Sequence, residues 1–349
     1  MGHYTFKNKN VKRYIENLYA DGLQKSRYLD DSTVVELLER IGIFKFKGYV
    51  YAFRPDISRH TLDDVVLLFF FDKYLSRLLM DMTSGVETRL KSVLIETCYQ
   101  HISKLPRSHP LKNNPFFYLI SANYKNSHPK LYGPSVDNWK NKSSVTHTEE
   151  YIHYGLYYHA KYDFPSNKRS YLSSSHTLHL QNGVNYPPFH YFVESATLGT
   201  IKYLIKHLKI DSFDVMEHVA KKFGIFNPKV DFVSYLERLN EVRNRAAHRE
   251  RLFNRSYRSV TRVGHYKRIS QTIRDHGFMD VYLFLFFMLG KLDFHRYPTI
   301  ELFKKEEIKR LCRSFKKDYY IRTDSFYLTK RMSRKEFERI CQFILKGME

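Results

Sequence analysis

One segment limits the possible folds of this chain more than any other: residues 61–105, whose apolar side chains follow a helical repeat. These side chains recur at i, i+3 and i+4, the spacing of one face of an α-helix: Leu62, Val65, Val66, Phe69, Leu75, Leu78, Leu79, Met82, Val86, Leu90, Val93 and Leu94. The pattern predicts a long core helix, or two helices in succession. Gly85, in its middle, marks either a kink or a close contact with another helix.

Later segments repeat this helical pattern and predict an all-α fold. We expect helices at 191–208, 212–223, 231–251 and 279–292. The chain has only 14 Gly and 11 Pro in 349 residues, which argues against a turn-rich β-sandwich or barrel. Near the N-terminus, residues 33–40 are typical of a helix. Residues 44–53 alternate apolar and basic side chains, and this alternation predicts a short strand or hairpin arm.

These patterns divide the chain into three parts. Residues 1–60 are a small N-terminal element of α/β character, residues 61–290 a helical bundle, and residues 291–349 a basic helical C-terminal extension. The bundle is interrupted at about 106–188 by an irregular insertion rich in Pro, Ser, Asn, His and Tyr. Six histidines lie in or beside its second half: His147, His153, His159, His176, His179 and His190. Since no Cys or carboxylate cluster stands near them, we expect neither a metal nor another cofactor.

The charge of the chain is strongly positive. With 58 Lys and Arg against 36 Asp and Glu, the formal net charge is +22, and nucleic acid is the usual partner of such a surface. A basic membrane-surface protein and a merely soluble basic surface are the alternatives. The three cysteines form no C-x-x-C pair, the N-terminus has no apolar leader, and the apolar runs are too short to span a bilayer. We therefore expect a cytoplasmic protein without membrane association.

The motif R-N-R-A-A-H, from Arg243 to His248, points most directly to chemistry. We expect it inside a helix over residues 235–252. There, Asn240, Asn244 and His248 recur every four residues and form a polar stripe beside an apolar one. Such a stripe, next to a tight helix–helix contact, can build a functional site between facing helices. A helix-capping Asn and a surface His are the alternative interpretation.

Four stretches of the chain carry motifs that occur together in one known family. Residues 38–49 resemble L-x-x-I-x-Y-Y-R-L-x-G-Y, and residues 71–91 resemble F-D-x-x-L-R-x-L-L followed by I-E-x-x-L-R. Residues 192–199 resemble E-x-x-S-F-G, and residues 239–254 resemble R-N-x-x-A-H…R-L-x-N. In these motifs the chain resembles the Abi-like abortive-infection proteins of the AbiD/AbiF type, from about residue 12 to 290. Phe44 and Lys45 replace a tyrosine and the arginine of the first motif, and Ser76-Arg77 shifts the Arg of the second motif by one position. These departures affect packing more than chemistry.

The resemblance implies an all-α HEPN-type ribonuclease that acts without metal in phage defence. Several relatives are similar to toxin–antitoxin systems in which a small noncoding RNA restrains the enzyme. On this basis we assign His248 to acid–base catalysis, Arg243 to holding the phosphate and Asn244 to orienting the phosphate or the imidazole. RNA carries its own nucleophile, the 2′-OH, so cleavage needs no metal-bound water and leaves a 2′,3′-cyclic phosphate.

The spacing of Arg243 and His248 predicts a homodimer. Five residues at about 100° each place the two side chains roughly 140° apart around a helix. One helix therefore cannot easily present both to the same phosphate. Two copies that face each other across a two-fold axis can do so, and they supply two histidines, one as acid and one as base.

Basic residues around the motif are candidates for RNA binding. Residues 241–275 contain ten Lys and Arg against three acids, and tyrosines lie among them. Guanidinium groups and rings stack on splayed RNA bases. The candidates are Arg245, Arg249, Arg251, Arg255, Arg258, Lys267 and Arg268. A solvated basic face is the alternative.

Two charged residues also stand in the long apolar helix. Glu87 and Arg89 predict a buried ion pair that fixes the helix register, or else a supporting role beside the Arg243/His248 site.

The favoured function is a metal-independent endoribonuclease, and two others stay open. A non-catalytic protein that holds a structured noncoding RNA fits the same charge and the same fold. A DNA-binding regulator is a weaker alternative, because the sequence shows no helix-turn-helix signature. Replacing His248 by Ala separates the first two, since a binding protein keeps its affinity and has no activity to lose.

Overall fold

A computed structural model of the chain describes residues 10–119, 123–125, 180–181, 184–185, 188–271 and 273–290, together with residue 339. This part is helical almost throughout, which confirms the all-α prediction. Its helices are α1 Val11–Ala20, α2 Asp31–Ile41, α3 Ile43–Val50, α4 Leu62–Lys104, α5 Phe189–Ser195, α6 Leu198–His207, α7 Val215–Lys222, α8 Val233–Ala247, α9 Gly264–Ile269 and α10 Phe278–Leu289. Tighter or wider turns cover Tyr51–Arg59 and Phe117–Leu119 (3₁₀) and Pro228–Phe232 (π).

The strands of this described part form two short antiparallel hairpins. In the first, β1 (Leu180–Gln181) pairs with β2 (Val184–Asn185), with Leu180 opposite Asn185. In the second, β3 (Lys209–Ile210) pairs with β4 (Phe213–Asp214), with Lys209 opposite Asp214. The second hairpin connects α6 to α7 and so reverses the direction of the chain between these two helices.

The long helical pattern forms one continuous helix, α4, of 43 residues. It begins at a capping box, in which the Thr61 backbone N–H donates to Asp64 Oδ2 at 3.0 Å and the Thr61 side chain accepts from the Asp64 N–H. The helix continues through Gly85, where a Cβ atom would lie only 2.7 Å from Leu289 Cδ2. Of the two roles considered for this glycine, the close helix contact is therefore the correct one, because it lets α10 approach α4.

Helix α4 is the centre of the described fold. It contacts α3, α5, α6, α7, α8 and α10, and the buried apolar residues of α1–α3 belong to the same core. The division of the chain at residues 60 and 290 stays a prediction. The C-terminal extension, apart from residue 339, lies outside the described residues.

The prediction of a strand or hairpin arm at 44–53 is wrong. The segment forms α3 and the 3₁₀ turn that follows it. Four buried residues, Phe46, Tyr49, Val50 and Phe53, have the helical spacing i, i+3, i+4 and i+7. The alternation was misleading because Phe44, its first aromatic residue, is 69% exposed and contributes nothing to the core.

The helix expected at 191–208 is divided into α5 and α6. The backbone is extended at Ala196 and Thr197, and the Thr197 side chain then caps α6 by accepting from the Thr200 N–H at 3.3 Å. Residues 106–119 are mostly turns, as expected for the start of the insertion, while residues 126–179 lie outside the described part. None of the described helices is both long and apolar enough to cross a membrane.

Candidate functional site

Helix α8 carries the R-N-R-A-A-H motif and ends earlier than predicted. It stops at Ala247, with His248 at the C-cap. Arg249 then adopts the left-handed conformation (φ 50°), its N–H donates to Ala246 O at 3.1 Å, and the Glu250 N–H donates to Arg245 O at 2.9 Å. This pair of bonds is a Schellman motif, which usually has glycine at the left-handed position. The prediction of a helix through Leu252 is therefore wrong.

Helix α4 holds the chain where it leaves α8. The Asp72 carboxylate is buried and accepts from the backbone N–H groups of Leu252 (3.0 Å) and Phe253 (2.7 Å), and from the Tyr49 hydroxyl (2.8 Å). One turn along, Ser76 Oγ donates to Ala246 O at 2.8 Å. Burial raises the pKa of Asp72, and these hydrogen bonds oppose that shift. Three of the four motif-bearing stretches thus meet in one buried network.

A pocket of about 490 Å³ lies between α6 and α8. Its basic side chains are Lys202, Lys206, His207 and Arg243, and among the described residues no carboxylate lines it. The remaining lining residues are Thr197, Leu198, Gly199, Tyr203, Asn240 and Asn244. A cavity with this composition favours an anionic ligand, because its cations have no counter-charge within the pocket. It also contains the end of the fourth motif-bearing stretch, at residues 197–199.

The structure brings together two of the three residues assigned to catalysis. Arg243 and Asn244 both line the pocket, and Arg243 Nη1 donates to Asn244 Oδ1 at 3.3 Å. His248 is exposed at the end of α8 and is not among the residues lining this pocket. Within one chain, the Arg of the motif therefore lines this pocket and the His does not.

Sequence reasoning missed the contribution of α6 to this pocket. Lys202 and Lys206 are four residues apart, as are Tyr203 and His207, so all four project from one side of α6. The His207 ring stacks on Tyr203, with the ring centroids 4.4 Å apart. Burial, Lys206 and Lys125 lower the pKa of His207 to about 4, so its imidazole is neutral at pH 7. The two pairs of polar residues spaced by four were the sequence signal that could have revealed the contribution of α6 to the pocket.

The seven RNA-binding candidates fall into two groups. Arg249, Arg255, Lys267 and Arg268 are exposed. The other three make contacts within the chain: Arg245 pairs with Glu241 (2.7 Å) and lies over the Tyr257 ring, Arg251 donates to Gly48 O, and Arg258 pairs with Glu237 (2.7 Å). Arg251 is half-buried, and burial is the main cause that lowers its pKa.

Glu87 and Arg89 do not form the expected ion pair with each other. Glu87 pairs with Lys91 at 3.2 Å, and Lys91 Nζ also donates to Glu194 O at 2.9 Å. Arg89 donates to Met288 O (2.6 Å) and to Lys222 O (3.2 Å), which are carbonyls at the C-terminal ends of α10 and α7. Residues two apart on a helix do not face each other, whereas residues four apart do.

A second buried charge cluster was also missed by sequence reasoning. Arg238, on α8, is fully buried, and its Nη2 lies 2.6 Å from Asp280 Oδ2. Asp280 also accepts from the Tyr266 hydroxyl (2.5 Å) and from Arg262 Nη2 (2.8 Å). These cations and the Tyr266 hydroxyl keep the pKa of Asp280 low despite burial, which on its own raises it. Nothing in the local sequence shows that an arginine on α8 meets an aspartate on α10.

Among the described residues, no group of His, Cys, Asp or Glu side chains is arranged to hold a metal ion. Of the six histidines named for the insertion, only His190 is described, and its Nδ1 lies 2.7 Å from the Tyr99 hydroxyl. The other five lie outside the described residues.

The fold and the pocket define a class of protein: an all-α bundle with a basic, carboxylate-free pocket formed by two of its helices. The Abi-like protein family matches residues 36–254, which is more than half of the chain and includes the pocket. The chain therefore belongs to the Abi-like family, and this membership suggests a role in abortive infection, a defence against phage. No curated protein and no solved structure is significantly similar to it.

Proposed function

We propose that the protein is a metal-independent endoribonuclease of the HEPN type, and that its site is the pocket between α6 and α8. One observation carries the proposal: Arg243 and Asn244, the paired residues of the R-N-x-x-A-H motif, line a pocket with Lys202, Lys206 and His207 and with no carboxylate. A guanidinium can hold a phosphate through two hydrogen bonds as negative charge develops on it. The same pocket strongly disfavours a cationic ligand.

The side chains of the pocket match the steps of RNA cleavage. His207 lies in the pocket, and we assign it to accept the proton of the ribose 2′-OH. The 2′ oxygen then attacks the adjacent phosphorus, while Arg243, Lys202 and Asn244 hold the phosphate oxygens. The bond from phosphorus to the 5′ oxygen breaks, and that oxygen takes a proton from an acid. The products are a 2′,3′-cyclic phosphate and a 5′-hydroxyl, and no step requires a metal.

The acid in this scheme is His248 of the partner subunit in a homodimer. Within one chain His248 lies at the end of α8 and outside the pocket lining. A two-fold axis that brings two α8 helices together places the His248 of each copy near the Arg243 of the other. The composite site therefore joins Arg243, Asn244 and His207 of one subunit to the partner's His248.

Mixing two inactive variants tests the composite site. If Arg243→Ala and His248→Ala proteins exchange subunits freely, about half of the dimers are mixed, and each mixed dimer has one intact site. The expected activity is about a quarter of the wild-type value. No recovery between two variants that both form dimers would contradict the composite site, as would a fully active monomer in light scattering.

In its biological role, we propose that the enzyme is a cytoplasmic toxin of a phage-defence system, restrained by a small noncoding RNA. The family membership supports abortive infection, and the net charge of +22 supports an RNA partner. In such a system cleavage of host RNA stops growth before the phage multiplies.

The test of the proposed function is RNA cleavage in EDTA, followed by analysis of the product ends. Wild-type protein is expected to leave cyclic phosphates, and His248→Ala to be slower by about 10²–10⁴-fold. His109→Ala is the matched control, because this histidine pairs with Asp211 (3.3 Å) on the turn between β3 and β4. Tight RNA binding without cleavage by any of the three proteins would favour the non-catalytic RNA-binding alternative and overturn the proposal.

A further inference from the structure

A second basic surface lies beside the point where the chain leaves His248. On α4, Asp72 and Ser76 hold the segment 246–253, as described above. Lys73 and Arg77 each follow one of these residues, so they form the adjacent stripe of the same helix. Arg249 belongs to the held segment itself, and its left-handed backbone turns the chain at this point.

Four cations meet on this surface: Lys45 of α3, Lys73 and Arg77 of α4, and Arg249. We refer to them as the cationic cluster. Lys73 is half-buried, and its pKa is lowered first by burial and then by repulsion from Arg249, Lys45 and Arg77. In the described part of the chain, none of the four forms an ion pair with a carboxylate. Within the described residues, like charges are thus held together with no carboxylate paired to them, and a bound anion would stabilise this arrangement.

Three arginines close to the cluster in the sequence are held by partners within the chain. Arg245 and Arg258 each have a glutamate partner at 2.7 Å. Arg251 donates to a backbone carbonyl. The four cations of the cluster thus differ from these three arginines, each of which has a partner within the chain.

Aromatic rings lie next to two members of the cluster, one in space and one in the sequence. Lys73 Nζ is 4.6 Å from the Phe69 ring centroid. On α3, next to Lys45, Phe44 is 69% exposed, and Tyr51, just after this helix, is 50% exposed. The Arg54 guanidinium lies 4.5 Å from the centroid of the Tyr51 ring. Cations that follow a backbone, together with exposed rings on which bases stack, are the features of single-strand binding.

We propose that the cationic cluster binds the backbone of single-stranded RNA and leads the strand to the end of α8. This inference rests on the proposed function insofar as the bound strand is the one that the Arg243 pocket cleaves. The phosphates of the strand neutralise the four cations, and Phe44 stacks on a base. Duplex RNA is a poorer ligand, because its bases are not free to stack on an exposed ring.

The test measures RNA affinity in full-length protein that carries His248→Ala, so that the RNA is not cut. Lys45→Gln with Arg77→Gln removes two exposed cations of the cluster. Lys221→Gln with Lys222→Gln is the matched control, with the same number of charges removed from α7. The control site lies away from the cluster. The Lys222 carbonyl accepts from Arg89, which is twelve residues, or about 18 Å, further along α4 than Arg77. The probe is a short labelled single-stranded RNA, titrated at several salt concentrations.

The cluster variant is expected to bind RNA roughly ten-fold more weakly than the control at 0.15 M salt. The slope of log affinity against log salt concentration should also be smaller by about 1.4, because each of the two removed cations accounts for about 0.7 on a single strand. Equal affinity for the two double variants, within about two-fold, would overturn the proposal. So would loss of binding to phosphatidylserine vesicles with RNA affinity unchanged, which would make the cluster a membrane surface. A further outcome separates the two proposals. If wild-type protein cuts no RNA, but the cluster variant still binds RNA more weakly and with a smaller salt dependence, the ribonuclease proposal fails and the proposed RNA binding by the cluster is supported.

Discussion

Two arginines on one helix, five residues apart, have opposite surroundings. Arg238 is fully buried and reaches Asp280 at 2.6 Å and the Tyr266 hydroxyl at 3.1 Å. Arg243 is half-buried, and its hydrogen-bond partner is the side chain of its neighbour Asn244, at 3.3 Å. Both terminal nitrogens of the first guanidinium have partners within the protein, whereas the second guanidinium faces a pocket in which no described carboxylate lies.

This difference separates a charge that the protein itself pairs from a charge that a ligand can pair. A buried charge is tolerated when it is paired and hydrogen-bonded, and removing one partner leaves the other uncompensated. A charge that lines a pocket without a partner contributes little to folding, but it is available to a ligand of opposite sign. The same distinction separates Arg258, which is paired with Glu237, from Arg249 and the rest of the cationic cluster.

Breaking the paired arginine gives the largest expected change in stability. Arg238→Ala leaves Asp280 buried and without its closest cation, and it is expected to lower the free energy of unfolding by about 3–5 kcal/mol. Arg243→Ala is the control on the same helix, with an expected loss of about 1 kcal/mol or less. Urea denaturation measures both values. Equal losses for the two variants would show that the comparison between them is wrong.

Removing the acceptor that anchors the end of α8 has a smaller effect. Asp72→Ala leaves the buried N–H groups of Leu252 and Phe253 without an acceptor, and an expected loss of about 1–3 kcal/mol follows. RNA cleavage is expected to fall as well, because the turn after His248 loses its attachment to α4. Asp56→Ala, at an exposed carboxylate, is the control. An unfolding midpoint in urea that matches this control would contradict the anchoring role of Asp72.

The smallest effect concerns pH and sharpens the description of the pocket. In the folded state the pKa of His207 is about 4, against an ordinary value of 6.5. The unfolded chain therefore binds more protons between these two values, so His207 makes stability rise with pH across this window. As the pH falls from 7 to about 4.5, wild-type protein is expected to lose more thermal stability than His207→Gln. Parallel losses of Tm in the two proteins would contradict the burial of a neutral imidazole in this pocket.

The sequence predicted those features that depend on local periodicity. The apolar repeat of residues 61–105 gave α4 nearly to its ends, and the R-N-R-A-A-H motif identified Arg243 and Asn244, which do line a common pocket. The strand expected at 44–53 was wrong because alternation over a few residues matches more than one structure. The pattern of buried residues, which excludes Phe44 from the core, is what distinguishes a helix from a strand here.

The features that sequence analysis missed depend on contacts between distant segments. The end of α8 is fixed partly by Asp72, far earlier in the chain, so no pattern around His248 could place it. Arg238 and Asp280 are 42 residues apart and meet only when α8 and α10 pack. His207 joins the Arg243 pocket for the same reason, since α6 and α8 contact each other in the folded bundle.

The most direct test of the central claim compares wild-type protein with Arg243→Ala in RNA cleavage under EDTA. The unpaired arginine is expected to act on the phosphate, so the variant should cleave about 10²–10³-fold more slowly, as is found when one donor to a developing oxyanion is removed. Its unfolding should stay close to that of the wild type, and the wild-type products should end in 2′,3′-cyclic phosphates. Cleavage at an equal rate by both proteins would contradict the assignment of this pocket as the ribonuclease site.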